Sequence, residues 1–412
     1  MANIVYLTHR LPYPPNKGDK VRSYHVLKHL AARHRVFLGT FIDDPDDEEH
    51  VGAVSSMCVD LHVARLHPHL ARATSLAALS NGESLTTRYY RDAGLQRWVE
   101  STCASQGIDA AVVFSSSMAQ FIPTLSRVPM LVDFVDVDSA KWNQYASTRA
   151  WPLSWLYKRE SALLLTFERA TAARAGCSFF VTKNETALFR SLAPESSSRV
   201  TTLCNGVDSE FFLADPARAS PFASNKAPAG SDRPAIVFTG AMDYWPNIDA
   251  VTWFAQEVLP PLRERLPKVR FYVVGRNPPS SVRSLASEVV EVTGTVPDVR
   301  PYLQHAAVVV APLRIARGVQ NKVLEAMSMG RPVVASAACA DAIEAQPGAE
   351  LLTAVTPSDF VRQLEFLLCN PAQAEIVGQA GRQCVVRNYS WNANLAQLDN
   401  ILATFPNCGI AA

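Results

Sequence analysis

The sequence predicts an α/β protein built from two doubly wound domains, in which parallel strands alternate with helices. The chain has 412 residues, more than one typical core accommodates. Hydrophobic residues make up 48% of the chain and charged residues 19%, as in globular proteins. Short apolar runs alternate with segments of helical spacing, and this alternation starts afresh after a polar segment near the middle.

In the first half, five apolar runs have the length and composition of buried strands. They occupy residues 4–7, 36–41, 110–114, 130–135 and 179–181. Apolar side chains at helical spacing predict a helix at residues 21–32, between the first two strands. Such alternation favours a parallel sheet covered on both faces, and ligands of these sheets bind at the carboxyl ends of the strands.

The second half repeats this organisation after a candidate linker, residues 214–233, which is rich in proline and has little apolar periodicity. The strand-like runs that follow are residues 236–239, 269–274, 308–311 and 332–336. Helical spacing occurs at residues 247–258, 320–329, 358–368 and 391–403. We therefore predict domains at residues 1–213 and 234–388, and a terminal segment at residues 389–412 that holds the last helix.

Charge, cysteine usage and hydropathy limit the partners and the compartment. The formal net charge is +1, so we expect no nucleic-acid partner. None of the eight cysteines forms a Cys-x-x-Cys pair, which suits a reducing compartment. No run of 18 apolar residues occurs, and the apolar run at the N-terminus is too short for a signal peptide. These features predict a cytoplasmic protein.

The loop after the first predicted strand is a candidate phosphate site. It is rich in proline and reaches Gly18, where the next helix begins. Glycine at a helix N-terminus lets backbone N–H groups approach a phosphate closely, and Lys17 and Lys20 would add positive charge. The alternative interpretation is an ordinary connection between a strand and a helix.

Two further junctions of a strand with a glycine lie in the second half. Gly240 follows the strand at residues 236–239 and the next helix starts near Asn247, while Gly275 follows the strand at residues 269–274. Neither junction has the G-x-G-x-x-G spacing of dinucleotide sites, and no G-x-x-x-x-G-K-[ST] sequence occurs. Dinucleotide-binding and P-loop proteins are therefore disfavoured.

The strongest candidate site lies at residues 311–327, where a strand, a turn with a glycine and a helix follow one another. Arg314 and Lys322 flank the N-terminus of that helix, a suitable place for a diphosphate. Glu325 lies too far along the helix to reach the phosphates, and we predict that it accepts hydrogen bonds from ribose hydroxyls. The alternative is a surface ion pair between Lys322 and Glu325, whose spacing puts them on one helix face.

Three carboxylates, Asp133, Asp136 and Asp138, lie at the end of the strand at residues 130–135. The Asp-x-Asp pattern at residues 136–138 can hold a metal ion on a nucleotide sugar, but it is short and common. The alternatives are capping of the next helix near Ser139 and a carboxylate that faces an acceptor. Because basic side chains are already available for phosphates, we expect no metal and no other cofactor.

Aromatic and basic residues are mixed at residues 149–159 and, more weakly, at residues 62–72. Such segments either contact a bilayer surface or are helix ends whose long charged side chains reach into water. Any membrane contact is therefore expected to be peripheral, at the inner face of the membrane.

Several segments resemble the retaining GT-B glycosyltransferases of family 4. The resemblance rests on Asn205-Gly206-Val207-Asp208 before the linker, on residues 322–334, and on Tyr389-Ser390-Trp391 before the last helix. The glycines at 240 and 275 stand in matching order and spacing. Residues 12–19 and 133–139 are similar to the sugar transferases associated with PEP-CTERM (exosortase) exopolysaccharide systems.

The resemblance implies a GT-B fold that moves a sugar, with retention, from a nucleotide diphosphate sugar to a glycan or lipid-linked acceptor. It places the acceptor on the N-terminal domain and the donor on the C-terminal domain, with the final helix crossing back to the first domain. The predicted catalytic residues are Arg314, Lys322 and Asp136. The predicted donor-binding residues are Gly18, Gly240, Asn247, Gly275, Arg314, Gly318, Val319, Gln320, Asn321, Lys322 and Glu325.

The sequence departs from the family pattern at three places, and the departures at Arg317 and Val135 motivate the first of two alternative hypotheses. Arg317 stands where the family usually has the first of two glutamates, and Ala241 and Asn247 stand in a loop that often carries Arg and Lys. Val135 stands where many members have a sugar-contacting histidine, so Asp136 is taken as its substitute. The alternatives are a non-catalytic subunit that binds nucleotide sugar and a nucleotide-sugar epimerase.

Overall fold

The computed structural model describes residues 1–15, 17–123, 128–222, 233–316 and 318–405. The chain divides into two compact units. The first unit comprises Met1–Cys204 together with the segment from Asn392 onward, and the second unit comprises Asn205–Trp391. Each unit has one parallel sheet with helices packed around it, so the predicted α/β class with two doubly wound domains is confirmed.

The sheet of the first unit has seven parallel strands in the order β3-β2-β1-β4-β5-β6-β7. Its central strand β1 pairs with β2 on one side and with β4 on the other. The strands are β1 (Asn3–Thr8), β2 (Arg35–Ile42), β3 (Asp60–Arg65), β4 (Ala110–Phe114), β5 (Met130–Val135), β6 (Cys177–Phe180) and β7 (Val200–Thr202).

The helices of the first unit connect these strands, and the last of them is C-terminal. They are α1 (Gly18–Ala31), α2 (Val51–Ser55), α3 (Pro68–Ser75), α4 (Ala78–Asn81), α5 (Leu85–Tyr89), α6 (Ala93–Ser105), α7 (Asp138–Ser147), α8 (Leu153–Arg174), α9 (Lys183–Leu192) and α18 (Trp391–Leu402). Short 3₁₀ helices lie at Pro45–His50, Ser116–Phe121 and Pro194–Arg199. None of the helices that the structure describes has both the length and the apolar composition needed to cross a bilayer.

The sheet of the second unit has six parallel strands in the order β10-β9-β8-β11-β12-β13. The strands are β8 (Ala235–Thr239), β9 (Arg270–Val274), β10 (Val290–Gly294), β11 (Val308–Ala311), β12 (Val333–Ser336) and β13 (Leu352–Ala354). The helices are α10 (Trp245–Trp253), α11 (Leu259–Arg265), α12 (Ser280–Arg283), α13 (Arg300–His305), α14 (Asn321–Ser328), α15 (Ala337–Ala340), α16 (Pro357–Cys369) and α17 (Pro371–Asn388).

The sequence located the central strands of both sheets and missed the edges. The four strands that it did not predict, β3, β7, β10 and β13, are the outermost strands of the two sheets. Central strands such as β4 and β8 are buried along their whole length, whereas β3 and β10 are largely half-buried or exposed. An edge strand is covered less and carries no continuous apolar run, so periodicity does not reveal it.

The helix predicted at residues 247–258 is shorter in the structure. The α-helix α10 ends at Trp253, a π-helical turn spans Phe254–Val258, and α11 begins at Leu259. Pro260 and Pro261 lack the N–H groups that would continue an α-helical ladder back to residues 256 and 257. The wider turn before them accommodates these missing bonds.

The segment predicted as a linker belongs in part to the second unit. Asp215 exchanges two hydrogen bonds with Gln304 of α13, at 3.0 and 2.7 Å. The ring of Phe222 lies 4.5 Å from that of Tyr272 on β9. The boundary between the units along the chain therefore falls between residues 204 and 205, before the predicted domain end at residue 213. The predicted linker residues 223–232 lie outside the described residues.

The last helix, α18, returns to the first unit. Asp399 of α18 accepts a hydrogen bond from His29 Nε2 at 2.9 Å, and its carboxylate lies 3.4 Å from Arg33 Nε. His29 lies in the last turn of α1 and Arg33 follows that helix, so these contacts hold α18 against the end of α1. The terminal segment predicted at residues 389–412 thus places its helix on the first unit, as the resemblance implied.

A buried ion pair connects α1 to the carboxyl end of β5. Nε and Nη2 of Arg22 donate to the two carboxylate oxygens of Asp133, at 2.7 and 3.0 Å. Both side chains are almost fully buried. Asp133 therefore has a structural role, since a buried carboxylate requires a counter-charge and hydrogen bonds.

Replacing Arg22 with Met should destabilise the first unit by about 3–5 kcal/mol, because the Asp133 carboxylate would stay buried without its counter-charge. The double variant Arg22→Met/Asp133→Leu should recover part of this loss. Arg65→Met is the control, since the ion pair of Arg65 with Glu48 is exposed to water and should contribute little to stability. Urea unfolding measures all three, and equal losses for Arg22→Met and Arg65→Met would contradict the prediction.

Candidate active site

The candidate site of the second unit lies at the point in its sheet where the strand order reverses. From β8 the chain goes to β9 on one side, and it later returns to add β11 on the other side. A doubly wound sheet opens a crevice at this point, outside the carboxyl ends of its strands. Gly240 follows β8, Gly275 follows β9, and Arg314 and Lys322 follow β11, so the sequence-predicted residues of this unit share one edge.

The two glycines at this edge are required by close approach of the backbone. A Cβ atom on Gly275 would lie 1.7 Å from the carbonyl oxygen of Gly240. A Cβ atom on Gly240 would lie 2.8 Å from Asn247 Nδ2 and 3.0 Å from Lys322 Nζ. Glycine, which has no Cβ atom, therefore leaves room for these polar groups at the end of β8.

Lys322, the second residue of α14, directs its ammonium group to this junction. Nζ donates a hydrogen bond to Asn247 Oδ1 at 2.6 Å and lies 4.2 Å from the centre of the Phe238 ring. Asn247 is itself oriented by a bond from its Nδ2 to the carbonyl oxygen of Ala241, at 2.8 Å. A neutral amide and an aromatic face thus hold the cation without cancelling its charge.

The ion pair that was the alternative for Lys322 and Glu325 is not formed. Within the described ranges, no carboxylate lies within ion-pair distance of Lys322 Nζ, and Glu325 makes no hydrogen bond through its side chain. Burial lowers the pKa of Lys322 to about 8 and raises the pKa of Glu325 to about 7. Two ionisable groups therefore lie one helical turn apart with pKa values near neutrality, because the attraction between their charges offsets the effect of burial only in part.

Arg314 reaches the same edge, but its charge is already compensated. Its guanidinium forms a two-pronged ion pair with Asp249 of α10, and Nε donates to Oδ2 at 3.0 Å. The side chain is 55% exposed. A diphosphate at this edge would therefore compete with Asp249 for Arg314, which the sequence did not reveal. Periodicity could not reveal Asp249, which lies 65 residues away in sequence.

The turn before α14 completes the described part of this edge. Gly318 has φ of 66°, a conformation that glycine adopts at little cost. Val319 and Gln320 follow it, and Asn321, the first residue of α14, accepts a hydrogen bond from Asn205 Nδ2 at 3.1 Å. The Asn-Gly-Val-Asp segment therefore supports the start of α14. Arg317 lies outside the described residues.

Gly18 and Asp136, the two other predicted site residues, belong to the first unit. Gly18 is the first residue of α1, so this helix begins earlier than the helix predicted at residues 21–32. Asp136 and Asp138 both bind Lys141 Nζ, at 2.8 and 3.0 Å. Burial opposes the charged form of Lys141, but the two carboxylates outweigh it and raise its pKa. The two carboxylates of the Asp-x-Asp pattern thus share one cation of the protein, which balances their charge in part.

The start of α7 is stabilised by carboxylates from other helices, not by the aspartates next to it. No side chain caps this helix locally. The backbone N–H of Val137 donates to Glu185 at 2.7 Å, and Ser139 donates its N–H and hydroxyl to the buried Glu168. The capping interpretation of the aspartates is therefore wrong. In the described residues, no group of three or more His, Cys, Asp or Glu could hold a metal ion.

Val135, which stands in place of the family histidine, has an unusual backbone. Its φ is 68°, in a region that β-branched residues rarely adopt. Its carbonyl oxygen accepts a hydrogen bond from the N–H of Val181 at 2.7 Å. Strained residues of this kind concentrate at functional sites, and this one marks the carboxyl end of β5.

The comparisons with known proteins agree with this architecture. Residues 233–370 match the model of the family described as glycosyl transferases group 1. No curated protein sequence matches the chain. The structure is similar to sucrose-phosphate synthase from Thermosynechococcus elongatus, with 17% identity, a TM-score of 0.72, and coverage of 97% of this chain and 98% of that chain.

Two further solved structures are similar over nearly the same length of the chain. Anabaena HepE in complex with UDP-glucose has 13% identity and a TM-score of 0.69, with coverage of 98% of this chain and 100% of that chain. WaaG, a glycosyltransferase involved in lipopolysaccharide biosynthesis, has 16% identity and a TM-score of 0.62, with coverage of 97% and 99%. The fold is GT-B. The GT-B fold that the sequence resemblance implied is therefore confirmed.

A nucleoside diphosphate held by Lys322 and Glu325 should have its highest affinity between about pH 7 and pH 8. Above the Lys322 pKa of about 8 the ammonium loses its proton, and below the Glu325 pKa of about 7 the carboxylate gains one. The profile thus has an alkaline limb and an acidic limb, and along each the affinity should fall by up to about tenfold per pH unit. Calorimetric titration with UDP across pH 5.5–9.5 measures this profile.

Asn247→Asp is the sharpest test of that profile, because it places a carboxylate against Lys322 Nζ and raises the pKa of the lysine. The alkaline limb should then move to higher pH, even though the added negative charge weakens binding at every pH. Gln373→Glu, an exposed amide-to-carboxylate change on α17, is the control and should leave the limb in place. An unmoved limb in Asn247→Asp would show that Lys322 does not meet the diphosphate.

Proposed function

We propose that the chain is a glycosyltransferase that moves a sugar from a nucleotide diphosphate sugar to a glycan or lipid-linked acceptor. The observation that carries the proposal is the Lys322 ammonium, held by the neutral Asn247 at the crevice of the second sheet. A cation without a carboxylate partner, beside a helix N-terminus, suits a diphosphate. The similarity to a structure bound to UDP-glucose and the family match of this unit support it.

In this proposal the second unit binds the donor. Lys322 and the N–H groups at the start of α14 contact the diphosphate, while Gly240 lets the phosphates approach the backbone. Glu325, one turn further along, accepts hydrogen bonds from the ribose hydroxyls. Arg314 joins the phosphates by sharing its guanidinium with Asp249. The remaining predicted donor residues of this unit, Gly275, Gly318, Val319, Gln320 and Asn321, shape the backbone around these groups or support the phosphates, whereas Gly18 belongs to the first unit.

The nucleobase has a place on the same edge of the sheet. A cleft of about 340 Å³ lies at the carboxyl ends of β9 and β10. Its lining includes Asn277, Thr293 and Gly294, which offer amide, hydroxyl and backbone groups for hydrogen bonds to a base. Because β9 is the neighbour of β8, a nucleotide whose phosphates lie at Gly240 would extend toward this cleft.

Catalysis in this proposal depends on stabilising the leaving group. As the bond from the anomeric carbon to the diphosphate breaks, negative charge grows on the diphosphate. Fixed cations and N–H groups stabilise that charge more strongly than they stabilise the ground state. Lys322 is the principal catalytic group, and Arg314 contributes less because Asp249 competes for it. The resemblance implies retention of the anomeric configuration, with Asp136 at the acceptor side.

The acceptor side of the proposal rests on the first unit and on the resemblance. We place the protein in the bacterial cytoplasm, at exopolysaccharide or other cell-surface glycan synthesis, with peripheral contact to the inner membrane face and no nucleic-acid partner. The strained backbone of Val135 and the neighbouring Asp136 support an acceptor site at the carboxyl end of β5. Lys141 binds Oδ2 of Asp136, so this oxygen would have to leave Lys141 before it could contact a sugar.

A donor-binding protein without transfer activity is the second candidate. The observation that favours it is the pairing of Arg314 with Asp249, together with Val135 in place of a histidine. The two candidates agree on nucleotide binding and differ on turnover. Release of UDP from a UDP-sugar by the purified chain, with acceptor glycans present, supports the transferase. Binding without any release supports the non-catalytic protein, and interconversion of donors without an acceptor would indicate an epimerase.

Thermal shift against UDP-, GDP-, ADP- and dTDP-sugars tests donor binding, since a ligand at 100 times its Kd adds about 2.7 kcal/mol of stability. Lys322→Ala should abolish the shift or displace it to higher ligand concentration, and should lower kcat/KM by roughly 10- to 150-fold, because a hydrogen bond to a charged group contributes about 1.5–3 kcal/mol. Glu325→Gln should weaken donor binding, since a carboxylate is the stronger acceptor.

Lys268→Ala is the matched control for these variants, because Lys268 is an exposed lysine of the same unit. It should keep the wild-type shift and the wild-type kcat/KM. If Lys322→Ala behaves like this control, the donor does not bind at the crevice between β8 and β11.

Transfer should not require a divalent metal ion, because Lys322, Arg314 and the α14 N-terminus supply the positive charge that the diphosphate needs. Activity in excess chelator should equal activity without it. The control is a metal-dependent glycosyltransferase in the same buffer, which should lose activity. Loss of transfer by this chain, with recovery after addition of Mg²⁺ or Mn²⁺, would show that a metal ion takes part.

A further inference from the structure

The first unit exposes large apolar side chains in two short segments that are far apart in sequence. Trp151 is 80% exposed and Trp155 is 55% exposed, next to the start of α8. Leu70, on α3, is 62% exposed. The exposed apolar side chains of the two segments are Leu70, Leu76, Leu79, Trp151, Leu153 and Trp155.

Hydrogen bonds and a buried carboxylate hold the two segments together. Arg159 on α8 donates from Nη2 to the carbonyl oxygen of Ala78 on α4, at 2.7 Å. The next residue, Glu160, is fully buried and accepts a hydrogen bond from the Ser84 hydroxyl at 2.7 Å. The start of α8 therefore packs on the α4–α5 region, and residues 70–79 and 149–158 together form what we call the tryptophan surface.

The charge of the tryptophan surface has one sign. Residues 61–82 and 139–159 contain no aspartate and no glutamate, although the chain as a whole carries 39 basic and 38 acidic residues. Arg72, Arg149 and Lys158 are exposed. An apolar surface with basic residues and without carboxylates complements a negatively charged surface that also accepts apolar side chains.

We propose that the tryptophan surface docks the protein on a bilayer that contains anionic lipids. Tryptophan prefers the boundary between headgroups and acyl chains, and arginine and lysine prefer anionic headgroups. Either signal alone gives weak, reversible binding, whereas the two together give stable association. This inference specifies the membrane contact of the proposed function, but lipid binding requires neither donor nor acceptor, so each can fail without the other.

Membrane docking explains features that a water-facing surface does not. Trp151 and Leu153 stand on both sides of Pro152, in the turn that begins α8, and lie on the outside of the protein. Exposing them to water is unfavourable, since apolar surface is more stable when it is removed from water. A second copy of the chain would also cover them, but it would carry the same basic residues and bring like charges together.

The test is sedimentation of the full chain with phosphatidylcholine vesicles, with and without phosphatidylglycerol. The chain should bind vesicles that contain phosphatidylglycerol, release in high salt, and bind pure phosphatidylcholine at least about tenfold more weakly. The emission of the exposed tryptophans should shift to shorter wavelength on binding. Absence of binding, or equal binding to both vesicles, would overturn the proposal.

Paired variants assign any binding to the surface. Trp151→Ala/Trp155→Ala should reduce the partition coefficient roughly tenfold or more, because both side chains leave the interface. Arg149→Glu/Lys158→Glu should reduce it by at least about 25-fold, since each basic side chain near the surface contributes about fivefold. The controls are Phe366→Ala/Ile376→Ala and Lys268→Glu, which change exposed residues of the second unit and should leave binding intact.

Further measurements distinguish lost docking from lost folding and from self-association. Circular dichroism and the UDP thermal shift should be unchanged in the paired variants, because all four side chains are exposed, and this separates lost docking from lost folding. Wild-type vesicle binding by both paired variants would place the contact elsewhere and overturn the proposal. Self-association of the wild type that Trp151→Ala/Trp155→Ala abolishes, without vesicle binding, would identify the surface as an interface between two copies.

Discussion

The candidate site of the second unit depends on one hydrogen bond, from the Lys322 ammonium to the neutral amide of Asn247. Had a carboxylate stood at position 247, the charge would be compensated and its attraction for a diphosphate would be weak. Gly240 has no Cβ atom, which would lie 2.8 Å from Asn247 Nδ2 and 3.0 Å from Lys322 Nζ. The order of the strands then fixes the location of the bond, since the chain continues from β8 to β9 on one side and from β11 to β12 on the other, and such a reversal opens a crevice at the carboxyl ends of the strands.

The two units handle charge in opposite ways. In the first unit, Asp133 is bound by Arg22, and Lys141 binds both Asp136 and Asp138, so ion pairs inside the protein hold these carboxylates. In the second unit, Lys322 and Glu325 form no ion pair with the residues that the structure describes, their charges offset the effect of burial only in part, and their pKa values lie near neutrality. Uncompensated groups cost stability and are retained where a ligand supplies the partner. This contrast favours the second unit for a charged donor.

Much of the site could be predicted because its residues are consecutive in sequence. The strand, the turn and α14 carry Gly318, Lys322 and Glu325 within one short segment, and their order alone suggests a helix N-terminus facing a phosphate. Residues that act through space could not be found in this way. Asp249 changes what Arg314 can do, and Phe238 and Asn247 determine how Lys322 is held, but no local pattern links them to their partners. The tryptophan surface likewise combines two segments that Arg159 brings together.

The sequence by itself determined the fold class, the central strands and the place of the candidate site, because burial on both faces leaves continuous apolar runs and glycines mark where strands end. The tertiary structure alone decided the edge strands β3, β7, β10 and β13, the unit boundary after Cys204, and the partners of each charge. Edge strands are covered on fewer sides, so their residues need not be apolar. Ion pairs and hydrogen bonds depend on distances in space, which the spacing of residues along a chain does not encode.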